Sequence, residues 1–293
     1  MLSNKKVILA LKICAFLIFI GRAYHYLFFD APFRAILWDE SLLRPLIEGV
    51  FNTTWSDYVT SLEVDKWIQR SIVINGFIYI VAAISVLLLN AKNRKYTRIP
   101  ILIGAYLLVI LSLLAAKDKF YHYGQFFEHA IQFGVPFVLL LAVKGTSLKN
   151  VTLYLKILIA VTFTAHGLYA LGYYPIPGHF IDMTIRSFKV TEDTAVIILN
   201  VAGALDIVLS ILIFIPKLAS YFLMYAFVWG MLTAFARIAS TINFDFVASS
   251  FHQSLYQVVY RLPHGLIPLL VFYLHRKQLI PRTKVNVTNA LNN

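Results

Sequence analysis

Apolar and polar stretches alternate along this chain on a long wavelength. Apolar runs of about 20 residues, the length a helix needs to cross hydrocarbon, recur at 7–29, 71–89, 99–116, 126–143, 151–171, 195–214, 218–239 and 258–274. Short polar turns such as KNRKYTR and KDKFYHYGQ separate several of them. The pattern predicts an all-α polytopic membrane protein with about eight transmembrane helices. One polar interval is much longer. Residues 31–70 carry Trp38, Asp39, Glu40, Arg44, Trp55 and Trp67, while Phe33, Ile36, Leu37, Leu43, Leu46, Ile47 and Val50 follow a helical spacing. An amphipathic helix lying along the interface after the first span is expected there, with tryptophans at headgroup depth. The stretch 163–182, FTAHGLYALGYYPIPGHFID, starts as the outer end of a helix and breaks at Pro175 and Pro177. It predicts a short non-helical segment that folds His179 and Asp182 over an outward cavity, since irregular backbone at that depth must line a cavity or be buried in protein.

Composition agrees with the pattern. At 59% hydrophobic and 14% charged residues, the chain lies far from the balance of soluble domains. Its single cysteine, Cys14, excludes an intramolecular disulfide. The first span follows Lys5 and Lys6, contains Lys12, Arg22 and His25, and lacks a small-residue cleavage site. It reads as a retained span.

A net charge of +12 would point to nucleic acid in a soluble chain; here its distribution gives orientation instead. With eight spans, the side holding both termini and the turns at 91–98, 144–150 and Lys217 carries 15 of the 26 basic residues. None of the 14 acidic residues falls there: 13 lie on or near the other side, and Asp206 is within the sixth span. Cytoplasmic loops carry the Lys/Arg excess. Both termini are therefore expected in the cytoplasm and 31–70 outside, in a bacterial-type inner membrane. Membrane lipid is the expected surrounding, and nucleic acid is not an expected partner.

The halves of the chain echo each other. Asn75 and Ser85 recur as Asn200 and Ser210; GVPFVLLL in the fourth span recurs as GLIPLLVF in the eighth. The first and fifth spans both end in glycine and aromatic residues, GRAYHYLF and GLYALGYY. Two four-helix halves, 1–145 and 146–278, related by an axis along the membrane normal, are expected. Residues 279–293 form a polar cytoplasmic tail on this reading.

Seven of the eight histidines belong to the outer half of the membrane or beyond it, and His25, His129, His166 and His264 lie within spans. Arg22, Glu128, Asp206, Arg237 and Arg261 join them. Ionisable residues within spans usually face a bundle interior or a watery cavity. A ligand-binding set of Glu128, His129, His166, His179, Asp182, Asp206 and Arg261 is expected at an outward pocket. The competing reading has such histidines bonding neighbouring helices. Asp206, in GALD, either bonds a helix that Gly203 lets approach or serves as a proton or cation site. No HxxxH or ExxH spacing points to a metal or haem. A GxSxG elbow, a Walker A sequence, a Rossmann fingerprint and a nucleic-acid module are also absent, so no catalytic residue is assigned.

The glycine-aromatic end of the first helix and the Gly203-to-Asp206 step in the following one make each half resemble DoxX-like membrane proteins. These are four-helix proteins of bacterial and archaeal membranes, linked in some cases to quinone-coupled sulfur oxidation or redox-stress complexes. The second half matches better, because in the first half the glycine of that span, Gly76, is followed three residues on by Tyr79 and not by an acid. The Trp-Asp-Glu interfacial segment is also similar to that of HTTM proteins, related to the membrane part of vitamin K-dependent carboxylases. The resemblance implies an outward pocket for a small apolar or quinone-like molecule, and a membrane redox complex with a membrane or periplasmic protein partner. Two other readings stay open: a proton-coupled transporter of a small solute, and an assembly subunit with no chemistry of its own.

Overall fold

A computed structural model describes residues 4–90 and 92–279; the tail expected at 279–293, apart from its first residue, lies outside them, as do Arg282 and Lys284. Among the described residues eight helices are long and apolar enough to cross a membrane. They are α1 (Asn4–Phe28), α5 (Leu62–Leu88), α6 (Arg94–Asp118), the pair α7 (Tyr123–Phe127) and α8 (Ala130–Lys144), α9 (Leu148–Ala170), α11 (Glu192–Leu212), α12 (Ala219–Ala239), and the pair α13 (Val247–Arg261) and α14 (Pro263–Leu279). The chain is an all-α polytopic membrane protein. Two spans are interrupted near the end opposite the N-terminus, one at Glu128 and His129, the other at Leu262.

The interfacial region differs from expectation in two ways. It contains three short helices, α2 (Arg34–Leu37), α3 (Glu40–Val50) and α4 (Trp55–Thr60), because Asp39 ends the first and caps the second by accepting the Leu42 N–H. The same carboxylate takes Lys117 of α6, tying the segment down onto the bundle. The second span begins at Leu62, earlier than expected, because the Ser61 side chain caps it and Glu63 and Asp65 sit in its first turn, where negative charge suits the helix dipole.

A second departure follows α9. After Pro177 the chain forms an amphipathic helix, α10 (Gly178–Phe188), in place of the expected irregular segment. Its apolar side, with Thr184 buried, lies on α11 and α12. Both halves therefore carry an amphipathic helical segment between their first and second spans.

The spans pack in the same order in each half: α1 on α5, α5 on α6, α6 on α8, and α8 back on α1; then α9 on α11, α11 on α12, α12 on α14, and α14 back on α9. The halves meet where α1 touches α13 and α14, and where α9 touches α7 and α8. With lipid outside, helices gain little from burying apolar surface against each other, so close packing must hold them together. Gly167 and Gly203 supply it between α9 and α11. A Cβ on Gly167 would come within 2.8 Å of the Gly203 carbonyl oxygen, and one on Gly203 within 2.9 Å of the Gly167 carbonyl oxygen. Gly167 thus admits a neighbouring backbone. Gly230 does the same between α12 and α14, where an added Cβ would meet the His264 carbonyl oxygen at 2.6 Å.

Candidate functional site

The interrupted span at α7 and α8 turns Glu128 into the bundle, where it is buried. Gln125 Nε2 donates a 2.6 Å hydrogen bond to Glu128 Oε1. Three further groups stand 3.8 Å from this carboxylate: Arg261 Nη2, His129 Nδ1 and His166 Nε2. Those distances allow charge attraction but are too long for hydrogen bonds. Arg261 is the last residue of α13, so the break before α14 delivers it just as the other break delivers Glu128.

Behind this group lies a second polar layer. Arg22 donates to Gln132 Oε1 through Nε and Nη2 at 3.0 and 2.6 Å, and its guanidinium lies 3.9 Å from the centre of the Tyr260 ring. No carboxylate pairs with Arg22 or with Arg237 among the described residues. Arg237 is buried and donates one hydrogen bond, to the Thr233 carbonyl of its own helix.

A cavity of about 350 Å³ opens beside these groups, entirely within the second half. Its walls come from α9, α10, α11, α12 and the α13–α14 junction, and its polar lining includes His166, Asp206, Arg237, Arg261 and His264. Most of the wall is apolar, including Phe163, Phe180, Leu199 and Trp229. His264 donates Nδ1–H to the Arg261 carbonyl at 3.0 Å. Because a carbonyl only accepts, a neutral His264 keeps its Nε2 as a free acceptor. That Nε2, His166 Nε2 and Arg261 Nε have no hydrogen-bond partner among the described residues although buried. The two imidazoles stack at 5.8 Å.

Asp206 lies deeper, roughly 20 Å along α11 from its N-terminal end at 1.5 Å per residue. Its carboxyl accepts a 3.5 Å hydrogen bond from the Tyr225 hydroxyl, and the Trp229 indole faces it. Gly203 one turn away does close on α9, so Asp206 belongs both to a tight helix pair and to the cavity wall.

The expected site residues therefore divide. His166, Asp206 and Arg261 line the cavity; Glu128 stands behind them against His166 and Arg261. His129 does not line it: its Nδ1–H is taken by the Gln125 carbonyl at 2.7 Å. His179 and Asp182 do not line it either. As α10 is helical, it presents Phe180, Met183 and Thr184 to the cavity and leaves Asp182 exposed. His179 packs edge-on to Phe180 and stays exposed, while the protein around its imidazole, then Arg261 and Arg237, lower its pKa to about 4. Among the described residues no three His, Cys, Asp or Glu side chains gather to hold a metal ion.

Family models, curated proteins and solved structures were all compared with the chain, and none matches.

Two polar cavity residues, Arg237 and His264, stood outside the expected set. Both were visible as ionisable residues inside apolar spans, the same signal that marked Arg261. Trp229 carried no signal in the sequence, because an aromatic residue in a span reads equally well as lipid-facing.

Proposed function

We propose that this chain is a DoxX-like membrane protein whose outward pocket binds one small amphipathic molecule, apolar or quinone-like in its body. The observation that carries this reading is the cavity itself: a largely apolar chamber with unpartnered buried nitrogens of His166, His264 and Arg261 at one end. Buried polar groups left without partners cost about 1–3 kcal/mol each, and a ligand's polar head would satisfy them. The volume falls in the range of small-molecule sites. Membership of a redox complex with a membrane or periplasmic partner follows from the resemblance alone.

The repeat and the orientation belong to the same proposal. Equal packing order, a helical segment after the first span of each half, and an outer break in each fourth span support two related four-helix halves. At the offset that pairs Asn75 with Asn200 and Ser85 with Ser210, Asp206 matches Val81, so the first half holds no acid at that place. The basic and acidic split places both termini in the cytoplasm of a bacterial inner membrane, with the pocket facing outward.

The test is ligand-dependent stabilisation of the purified protein by a short-chain benzoquinone and by other small amphiphiles. Stabilisation of the wild type that disappears in His166→Ala, with the unliganded melting temperature within a few degrees, supports the reading. A wild type that responds to none of them ends it. Asp206 on the wall of the same chamber favours proton-coupled transport as the second reading. Acidification of proteoliposomes during solute uptake, lost in Asp206→Asn, would establish that reading instead.

A further inference from the structure

Charges around the cavity do not balance. Arg22 and Arg261 lie 3.9 and 6.0 Å from the centre of the Tyr260 ring, and Arg237 lines the cavity with Arg261, so the three cations share one neighbourhood. Among the described residues Glu128 is the only carboxylate beside them, and it already faces Arg261. Asp206, the other buried acid, sits far down the cavity beside Tyr225 and Trp229. Arg237 lines the cavity, is buried, and holds only a carbonyl of its own helix. A buried cation without an anion is costly, and an arginine fork fits a carboxylate or phosphate in two-point contact. Two residues short of the outer end of α12, Arg237 stands at headgroup depth. Below it the walls turn apolar. Phe188, Leu232 and Phe235 line the cavity yet are exposed, so it reaches the lipid-facing perimeter where α11 and α12 meet only briefly.

We propose that the ligand of this cavity is an acidic amphiphile: its carboxylate or phosphate head sits on Arg237 and Arg261, and its apolar body lies along α11 and α12. This rests on the cavity being the ligand site proposed above and chooses an anionic head over a neutral quinone. His264 Nε2 and His166 Nε2 complete the head's surroundings as groups that hydrogen-bond a protonated head oxygen or a water beside it. Glu128 holds Arg261 in place from behind, which is positioning and not ligand contact.

The experiment uses the full-length protein in phosphatidylcholine nanodiscs and four probes: dibromostearate, the corresponding dibrominated alcohol, a short-chain benzoquinone and inorganic phosphate. Bromine quenches a nearby indole, and Trp229 lines the cavity, so the specific signal is the quenching that Trp229→Phe removes. Dibromostearate is expected to quench Trp229 at far lower concentration than the alcohol does. Arg237→Gln is expected to weaken the acid roughly tenfold or more, as loss of a charged hydrogen bond does, without changing the alcohol. Arg237→Lys should restore part of the difference. Equal binding of acid and alcohol, or an acid affinity untouched by Arg237→Gln, overturns the proposal. Stabilisation by inorganic phosphate as strong as that by the acid overturns the amphiphile and leaves a free anion. Binding of the benzoquinone without the acid overturns the anionic head but leaves the ligand pocket standing. No Trp229 quenching by any brominated probe and no stabilisation by the benzoquinone overturns both.

Discussion

Arg261 Nη2 lies 3.8 Å from Glu128 Oε1, and this contact joins the break between α7 and α8 to the break between α13 and α14. Neither residue has another partner of opposite formal charge among the described residues apart from the two histidines beside Glu128. Removing one partner should strand a buried charge and cost about 3–5 kcal/mol, while removing both should cost less than the sum. Thermal unfolding of Glu128→Gln, Arg261→Met and the double variant tests this. A double variant no more stable than Arg261→Met alone would show that the two do not interact.

The Gly167–Gly203 contact makes a sharper prediction. A methyl at either position meets a carbonyl oxygen of the facing helix below 3.0 Å, so α9 and α11 must separate. Gly167→Ala and Gly203→Ala should each destabilise by about 1–3 kcal/mol. Gly49 is the control, since it lies inside α3 with open space around it. Gly49→Ala should be neutral or stabilise by about 0.5–1 kcal/mol. Equal melting temperatures for Gly167→Ala and Gly49→Ala would remove the close approach from the account.

His179 predicts a pH dependence for α10. Although His179 is exposed, the protein packed around its docked imidazole, then Arg261 and Arg237, lower its pKa from 6.5 to about 4. An undocked His179 would bind its proton near pH 6.5. Lowering the pH from 6.5 to 4 therefore favours undocking progressively, and above 6.5 the group has no effect. Arg261, Arg237 and Lys119 oppose the charged form and Asp182 supports it. Protection factors of α10 amides, taken against the intrinsic exchange rate at each pH, should fall across this window in the wild type and stay constant in His179→Asn. Unchanged protection down to pH 4 would contradict it.

Asp39 predicts a loss of stability at still lower pH for the interfacial segment. Lys117, then the Ser41 hydroxyl and the Leu42 N–H, hold its pKa at about 2. A carboxylate depressed in this way stabilises above its ordinary value of 3.8 and loses that contribution as pH falls toward 2. Proteolysis within 51–54 should rise at low pH in the wild type. In Asp39→Asn it should be high already at neutral pH. Equal cleavage of the two at neutral pH would mean that the Lys117 contact does not anchor the segment.

Sidedness can be read from labelling. A cysteine at Lys92 should be shielded from an impermeant thiol reagent in intact cells, and one at Ser56 should react, since both positions are exposed. Cys14 is buried and should stay silent. Reversed labelling would turn the pocket toward the cytoplasm.

By itself the sequence determined that this is a bundle of eight helices in a membrane, because span length and apolar run are local properties and hydrocarbon tolerates little else. The same rule singled out Glu128, His166, Asp206 and Arg261, since an ionisable residue in a span stands out against its neighbours. Only the tertiary structure decided which of them share a chamber. His129 fell to its own helix because a carbonyl one turn back was free to take its ring N–H. Asp182 fell outside because 178–188 closed into a helix, turning every fourth residue to one side. Arg237 and His264 joined because Gly230 lets α12 and α14 come into backbone contact beside α9. Such convergence depends on long-range packing between helices, and no local pattern in the chain encodes it.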